Sequence, residues 1–108
     1  MLRRPVIPAE CSHNAHMYYV LLSPGIDRQR VLAALKAEGI HAVFHYVPLH
    51  SAPAAQQYAR SHGSLEVTDR ISAQLIRLPM WIGLTRSQQE LVASVLAHAV
   101  KLASSAGA

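Results

Sequence analysis

A chain of 108 residues that is 51% hydrophobic and 15% charged has the composition of one folded domain, which excludes a highly charged disordered segment. A domain of this size is expected to bury roughly two-thirds of the surface its unfolded chain exposes. The net charge of +4 does not mark a nucleic-acid binder, because the eight arginines (3, 4, 28, 30, 60, 70, 77 and 86) adjoin only at Arg3 and Arg4 and form no basic stripe.

Residues 1–13 set Pro5 and Pro8 among polar residues and read as an extended linker arm with no face to bury. This segment lacks the apolar stretch of a secretory signal, and no apolar run in the chain reaches membrane-spanning length, so a cytoplasmic protein is expected. Cys11 is the only cysteine, which rules out a disulfide within the chain and a cysteine-based zinc site.

His16 to Leu22, HMYYVLL, is β-rich and mostly apolar and is closed by SPG, the pattern of a buried strand and a turn. His13 and His16 have the i, i+3 spacing of a helical metal pair, but on the approach to a strand they point to opposite faces. The expectation is a solvated His13, a hydrogen-bonded His16 and no metal. Ser12 and His13, as neighbours in extended chain, face apart and make no nucleophile–base pair.

From Asp27 the period changes. Val31, Leu32 and Leu35 share a helical face, Asp27 is a suitable N-cap and Gly39 a suitable left-handed stop, so a helix is predicted over 28–38. Ile40 to Tyr46, IHAVFHY, alternates as a strand does, with Ile40, Ala42 and Phe44 opposite His41, Val43 and His45, until Pro48 stops regular pairing. Residues 47–66 are the least regular part of the chain and the place to expect chemistry. Thr68 is a candidate cap for a short helix carrying Ile71 and Leu75, and LIRLPMW supplies a third short strand ended by Pro79. Thr85 with Gln88 makes a capping box, and Leu91, Val92, Val95, Leu96 and Ala99 form the apolar stripe of a last helix.

The expected organisation is therefore an arm over 1–13, a domain over 14–103 and a frayed tail over 104–108. The expected fold class is α+β: a small three-stranded, mainly antiparallel sheet with helices on one face, and with all or part of the other face in need of cover.

His45, Tyr46 and His50 flank a proline turn at the end of a predicted strand, where polar side chains converge from a rigid base. Imidazole and phenol donate and accept hydrogen bonds, which suits hydroxyl-rich or phosphate-bearing ligands. The five glycines are dispersed and form no phosphate loop, and no nucleophile has a local base, so a self-contained enzyme is hard to build from these parts.

Three linked stretches, CSHNAHMYYVLL, LKAEGIHAVFHYVPLHSAP and TDRISAQLIRLPMWIGLT, closely resemble the C-terminal segment of the DegT/DnrJ/EryC1/StrS sugar aminotransferases, in order and with continuous spacing over roughly residues 2 to 100. The resemblance implies the small C-terminal domain of a fold-type I enzyme. Such an enzyme uses pyridoxal phosphate to pass an amino group from glutamate to C4 of a dTDP-linked 4-keto-6-deoxy sugar, and works as a homodimer. It further implies that the lysine holding the cofactor and the acid pairing with its ring nitrogen belong to a large domain absent from this chain. Met1 lies where the family's chain crosses from that domain into the small one. Lys36 and Lys101 sit on predicted helix surfaces without the family's lysine-loop context, so no cofactor is expected to bind covalently and the chain alone is not expected to transaminate.

By the same resemblance HYVPLH faces the active-site cleft, which makes His45, Tyr46 and His50 substrate contacts and not proton-transfer groups. The competing reading is an independent ligand-binding or dimerisation module without catalysis.

Overall fold

The computed structural model describes residues 2–105. Three antiparallel strands lie in the order β1 (Leu2–Arg3), β2 (Tyr18–Leu22), β3 (Leu75–Leu78), with Leu2 opposite Leu22 and Val20 opposite Ile76. Alternation along the strands sends Val20, Leu22 and Ile76 to one face, where they meet Val31 and Leu35 of α1 (Arg28–Ala37) and Leu96, Ala99, Val100 and Ala103 of α4 (Arg86–Ser105). These residues form the core, each at most 8% exposed.

The expected fold class stands, with a different third strand. Ile40 to Tyr46 makes a single bridge, Val43 with Arg77, instead of a strand, while the supposedly faceless arm contributes β1. The expected alternation holds for Ile40, which is buried, and Ala42, which packs on the core, but not for Phe44, which is exposed, and after Val43 the segment makes no further ladder with β3. The strand expected to be ended by Pro79 runs over Leu75–Leu78 and stops just before that proline.

The helices follow their local chemistry. In α1 the Asp27 carboxylate accepts from the amides of Gln29 (2.8 Å) and Arg30 (3.3 Å). At its other end Gly39, at φ 72°, lets its own amide reach the Lys36 carbonyl (3.0 Å) and the Ile40 amide reach that of Leu35 (2.9 Å). Leu35 and Ile40 are both buried in the core, which completes a Schellman stop with its apolar contact.

The predicted capping box also forms in α4: Thr85 Oγ1 accepts from the Gln88 amide (3.3 Å) and Gln88 Oε1 from the Thr85 amide (2.9 Å). The apolar stripe of α4 holds at Val92, Val95, Leu96 and Ala99 and continues to Val100 and Ala103, whereas Leu91 is 54% exposed and lies off it. Ser104 and Ser105, expected to fray, belong to the helix, and the rest of that tail lies outside the described residues.

Residues 47–66 are more ordered than their composition suggests, folding as a 3-10 turn at Leu49–Ser51 and α2 (Pro53–Tyr58). Proline at the first position of α2 costs no hydrogen bond, because that amide has no partner in any helix. Helix α3 (Glu66–Gln74) starts two residues before Thr68, which therefore sits inside it and is no cap. On the sheet face away from α1 and α4, Leu21 and Leu75 are nevertheless buried (4% and 8%), and α3 packs against β2.

The expected two-thirds burial is not reached. The chain exposes 8151 Å², well over a third more than the about 5,900 Å² of a compact monomer of its mass, and it buries only about half of its unfolded surface. Its radius of gyration is 15.8 Å, against about 13 Å for a compact domain of this length.

Candidate functional site

The site begins with a two-way backbone clasp. The Arg77 amide donates to the Val43 carbonyl (2.7 Å) and the Val43 amide to that of Arg77 (3.1 Å), which fixes the chain just before the polar residues emerge. Pro48 then opens the 3-10 turn, and its carbonyl accepts from Ser51 Oγ at 3.0 Å. The polar stretch is thus held at both ends, by a strand on one side and a proline turn on the other.

The structure sets His45 against Tyr46 and Arg77, and His50 against Asp69. The rings of His45 and Tyr46 meet edge to face, centroids 4.6 Å apart and planes at 66°. Tyr46 is 71% exposed, so it is no part of the core. His45 is half-buried, and its Nδ1 lies 3.4 Å from a guanidinium nitrogen of Arg77. His50 instead pairs through Nε2 with the Asp69 carboxylate of α3 at 2.8 Å. It also borders a cavity of about 630 Å³ shared with Gln56, Arg60, His62 and Thr68.

Three residues of this neighbourhood escape a reading of the sequence. Arg77 looks like the outward position of an alternating strand; a cation between Ile76 and Leu78 in a half-buried strand is the one hint available. Asp69 looks like an ordinary acid of a helix first turn. Arg28 looks like a solvated helix start, yet its guanidinium lies over the Phe44 ring, 5.4 Å from the centroid, and donates to the Ser72 carbonyl. Burial pushes the Arg28 pKa down from its ordinary value, without threatening its charge at any physiological pH. Arg28 and Arg77 place two fixed cations around Phe44 and His45. Such a surface presents mainly hydrogen-bond donors and suits oxygen-rich, anionic ligands.

A second cavity, of about 590 Å³, lies between the sheet and α4, and is lined by Leu2, Tyr18, Leu78, Met80, Trp81 and Val92 among others. It continues onto exposed apolar surface, with Met80 43%, Trp81 53% and Ile82 fully exposed. Neither amine of the chain borders either cavity: Lys36 and Lys101 lie exposed on α1 and α4.

His13 and His16 are both exposed, with His16 Nδ1 2.6 Å from Asn14 Oδ1, as expected of a hydrogen-bonded His16. Among the described residues no three His, Cys, Asp or Glu side chains converge on a possible metal position. No helix among them is long and apolar enough to cross a membrane.

Comparison with known proteins covers almost the whole chain. The profile of the DegT/DnrJ/EryC1/StrS aminotransferase family matches residues 2–97. A pleiotropic regulatory protein of Geobacillus stearothermophilus is 27% identical over 94 residues, which are 86% of this chain and 25% of that protein. Among solved structures, a DegT DnrJ EryC1 StrS aminotransferase from Brucella abortus superposes with a TM-score of 0.77 at 28% identity, over 90% of this chain and 26% of that one. DesV of S. venezuelae, solved in complex with a ketimine intermediate, superposes with a TM-score of 0.75 at 28% identity, over 91% of this chain and 26% of its own. The chain thus spans about a quarter of the length of the proteins it matches.

Proposed function

The chain belongs to the DegT/DnrJ/EryC1/StrS aminotransferase family, and from that membership we propose that it is the substrate-pocket domain of a nucleotide-sugar aminotransferase, acting with the large cofactor-holding domain of the complete enzyme. The specific reading is a dTDP-4-amino-4,6-dideoxygalactose transaminase, with glutamate as amino donor and a dTDP-linked 4-keto-6-deoxy sugar as acceptor. In this reading His45, Tyr46 and His50 contact the sugar nucleotide.

Members of the family work with pyridoxal phosphate, which when bound supplies the electron sink for amino transfer. The residues present here do not fit covalent attachment of that group. A lysine suited to the role is desolvated and enclosed beside a cavity, whereas Lys36 and Lys101 stand exposed on outer helix surfaces. No step of the transfer is therefore assigned to this chain. Its part is to hold donors in place around an oxygen-rich ligand, with the Val43–Arg77 clasp and the Pro48 turn fixing where those donors stand.

The observation that carries the proposal is the surface excess. A chain that exposes far more area than a compact monomer of its mass, and that leaves Trp81 and Ile82 uncovered at the rim of an apolar groove, has the surface of one part of a larger body. Homodimerisation of the complete enzyme belongs to the same reading.

Two measurements test it. Amide spectra of the labelled chain titrated with a dTDP-linked deoxy sugar are expected to move at residues 43–50, 69 and 77; a footprint confined to the Trp81 groove, or none, would overturn the site. Incubation with pyridoxal phosphate, glutamate and keto sugar is expected to yield no amino sugar. Turnover accompanied by a borohydride-reducible adduct on Lys36 or Lys101 would overturn the division of labour.

A further inference from the structure

We propose that Arg77 and Asp69 are positioning residues that lock His45 and His50 into opposite hydrogen-bonding polarity, making His45 a donor and His50 an acceptor toward the ligand. The ligand-facing half of this inference rests on the site assignment above; the tautomer half rests on the chain alone.

Each partner's chemistry fixes the role of the ring nitrogen it meets. A guanidinium has donors only, so the ring nitrogen of His45 that meets Arg77, Nδ1, must carry a lone pair. The proton of the neutral ring then sits on Nε2, which is left to donate. A carboxylate only accepts, so the nitrogen of His50 that meets Asp69, Nε2, must carry the proton. In the neutral ring Nδ1 of His50 is then left to accept.

The contacts are built into the fold. Arg77 is paired backbone to backbone with Val43, and His45 stands two residues further along the same extended segment. Alternation returns His45 to the side of the Val43–Arg77 bridge from which the Arg77 side chain rises. His50 is held by the 3-10 turn, and Asp69 comes from the first turn of α3. The edge contact of Tyr46 further restricts the His45 ring.

Opposite polarity at the two rings selects a ligand class. The Nε2–H of His45, backed by a fixed cation, favours an anionic or carbonyl oxygen, while a proton-free Nδ1 at His50 favours a hydroxyl. A phosphorylated or keto-bearing sugar offers both.

Long-range proton–nitrogen correlation spectra of the 15N-labelled chain at neutral pH read each histidine tautomer directly and need no ligand. His45 is expected to show a proton-free Nδ1 and a protonated Nε2. In Arg77→Met the Nδ1 resonance should move toward the averaged position of a free imidazole, with the signals of the exposed His41 and His62 unchanged. Asp69→Asn should release His50 in the same way, because an amide can donate as well as accept. A His45 ring protonated at Nδ1 in the unsubstituted chain would overturn the proposal. So would a His45 spectrum unaffected by Arg77→Met with the fold retained; if that variant does not fold, Arg77→Gln supplies the same comparison, because an amide can accept as well as donate, and an unmoved Nδ1 signal counts against the proposal equally.

The ligand half is read separately, by binding of a dTDP-linked deoxy sugar. His45→Gln places an amide donor near the Nε2 position and His45→Asn near Nδ1, so the Asn variant should bind about tenfold more weakly than the Gln variant. Equal losses would overturn the donor assignment. If the tautomers are as stated and the unsubstituted chain binds no sugar nucleotide, the site reading fails and the polarity stands.

Discussion

Arg28 shows how one side chain ties three segments together. It leaves the first turn of α1, lies over Phe44 of the polar stretch and donates to the carbonyl of Ser72 in α3. Arg28→Met keeps most of the apolar stem and removes both polar contacts, so unfolding in urea should show a loss of about 1–2 kcal/mol. An unchanged midpoint would mean that Phe44 and Ser72 are held without it. The three candidate residues were visible in the chain because HYVPLH sits where regular pairing has to stop. Their partners were not visible: His50 meets Asp69 across 19 positions, His45 meets Arg77 across 32, and Arg28 meets Ser72 across 44.

At the scale of elements, success and failure follow the range of the interactions. Helices α1 and α4 are set by bonds closing within a few residues, Asp27 to the Arg30 amide and Thr85 to the Gln88 amide, so their starts could be read from composition. Thr85→Ala should lower stability by about 1 kcal/mol, seen as a lower thermal midpoint with the fold retained, and no shift would show that the Gln88 half of the box suffices. The failed strand, Ile40 to Tyr46, alternates in sequence but keeps only the Val43–Arg77 pair. Strand β1 has the converse history, since two residues cannot carry a period and Leu2–Arg3 became a strand only by meeting Leu22 and Leu21.

For the whole molecule, the decisive feature is surface that nothing among the described residues covers. The exposed area and the radius of gyration both exceed those of a compact domain of this length. The groove beside α4, ending at Met80, Trp81 and Ile82, is a largely apolar part of that surface. The isolated chain should therefore bind an apolar-sensing dye and self-associate as its concentration rises. Ile82→Ser should reduce both effects while changing folding stability by no more than about 0.5 kcal/mol. The emission of Trp81, the single tryptophan, should move to shorter wavelength when a partner covers the groove. A monomer without dye binding at high concentration would point to a self-sufficient module.

What the amino-acid order determined by itself was helices α1 and α4 with their starting caps, the apolar strand ending in buried Val20–Leu22, the family and the position of the polar turn, because each is written in periods or contacts a few residues long. Only the tertiary structure decided which edge completes the sheet, that α3 shields Leu21 and Leu75, and that His45 and His50 meet partners of opposite chemistry. Those outcomes depend on residues tens of positions apart arriving at one place. A pairing of that kind leaves no local trace, since Arg77 and Asp69 would look the same on any solvent-facing strand or helix.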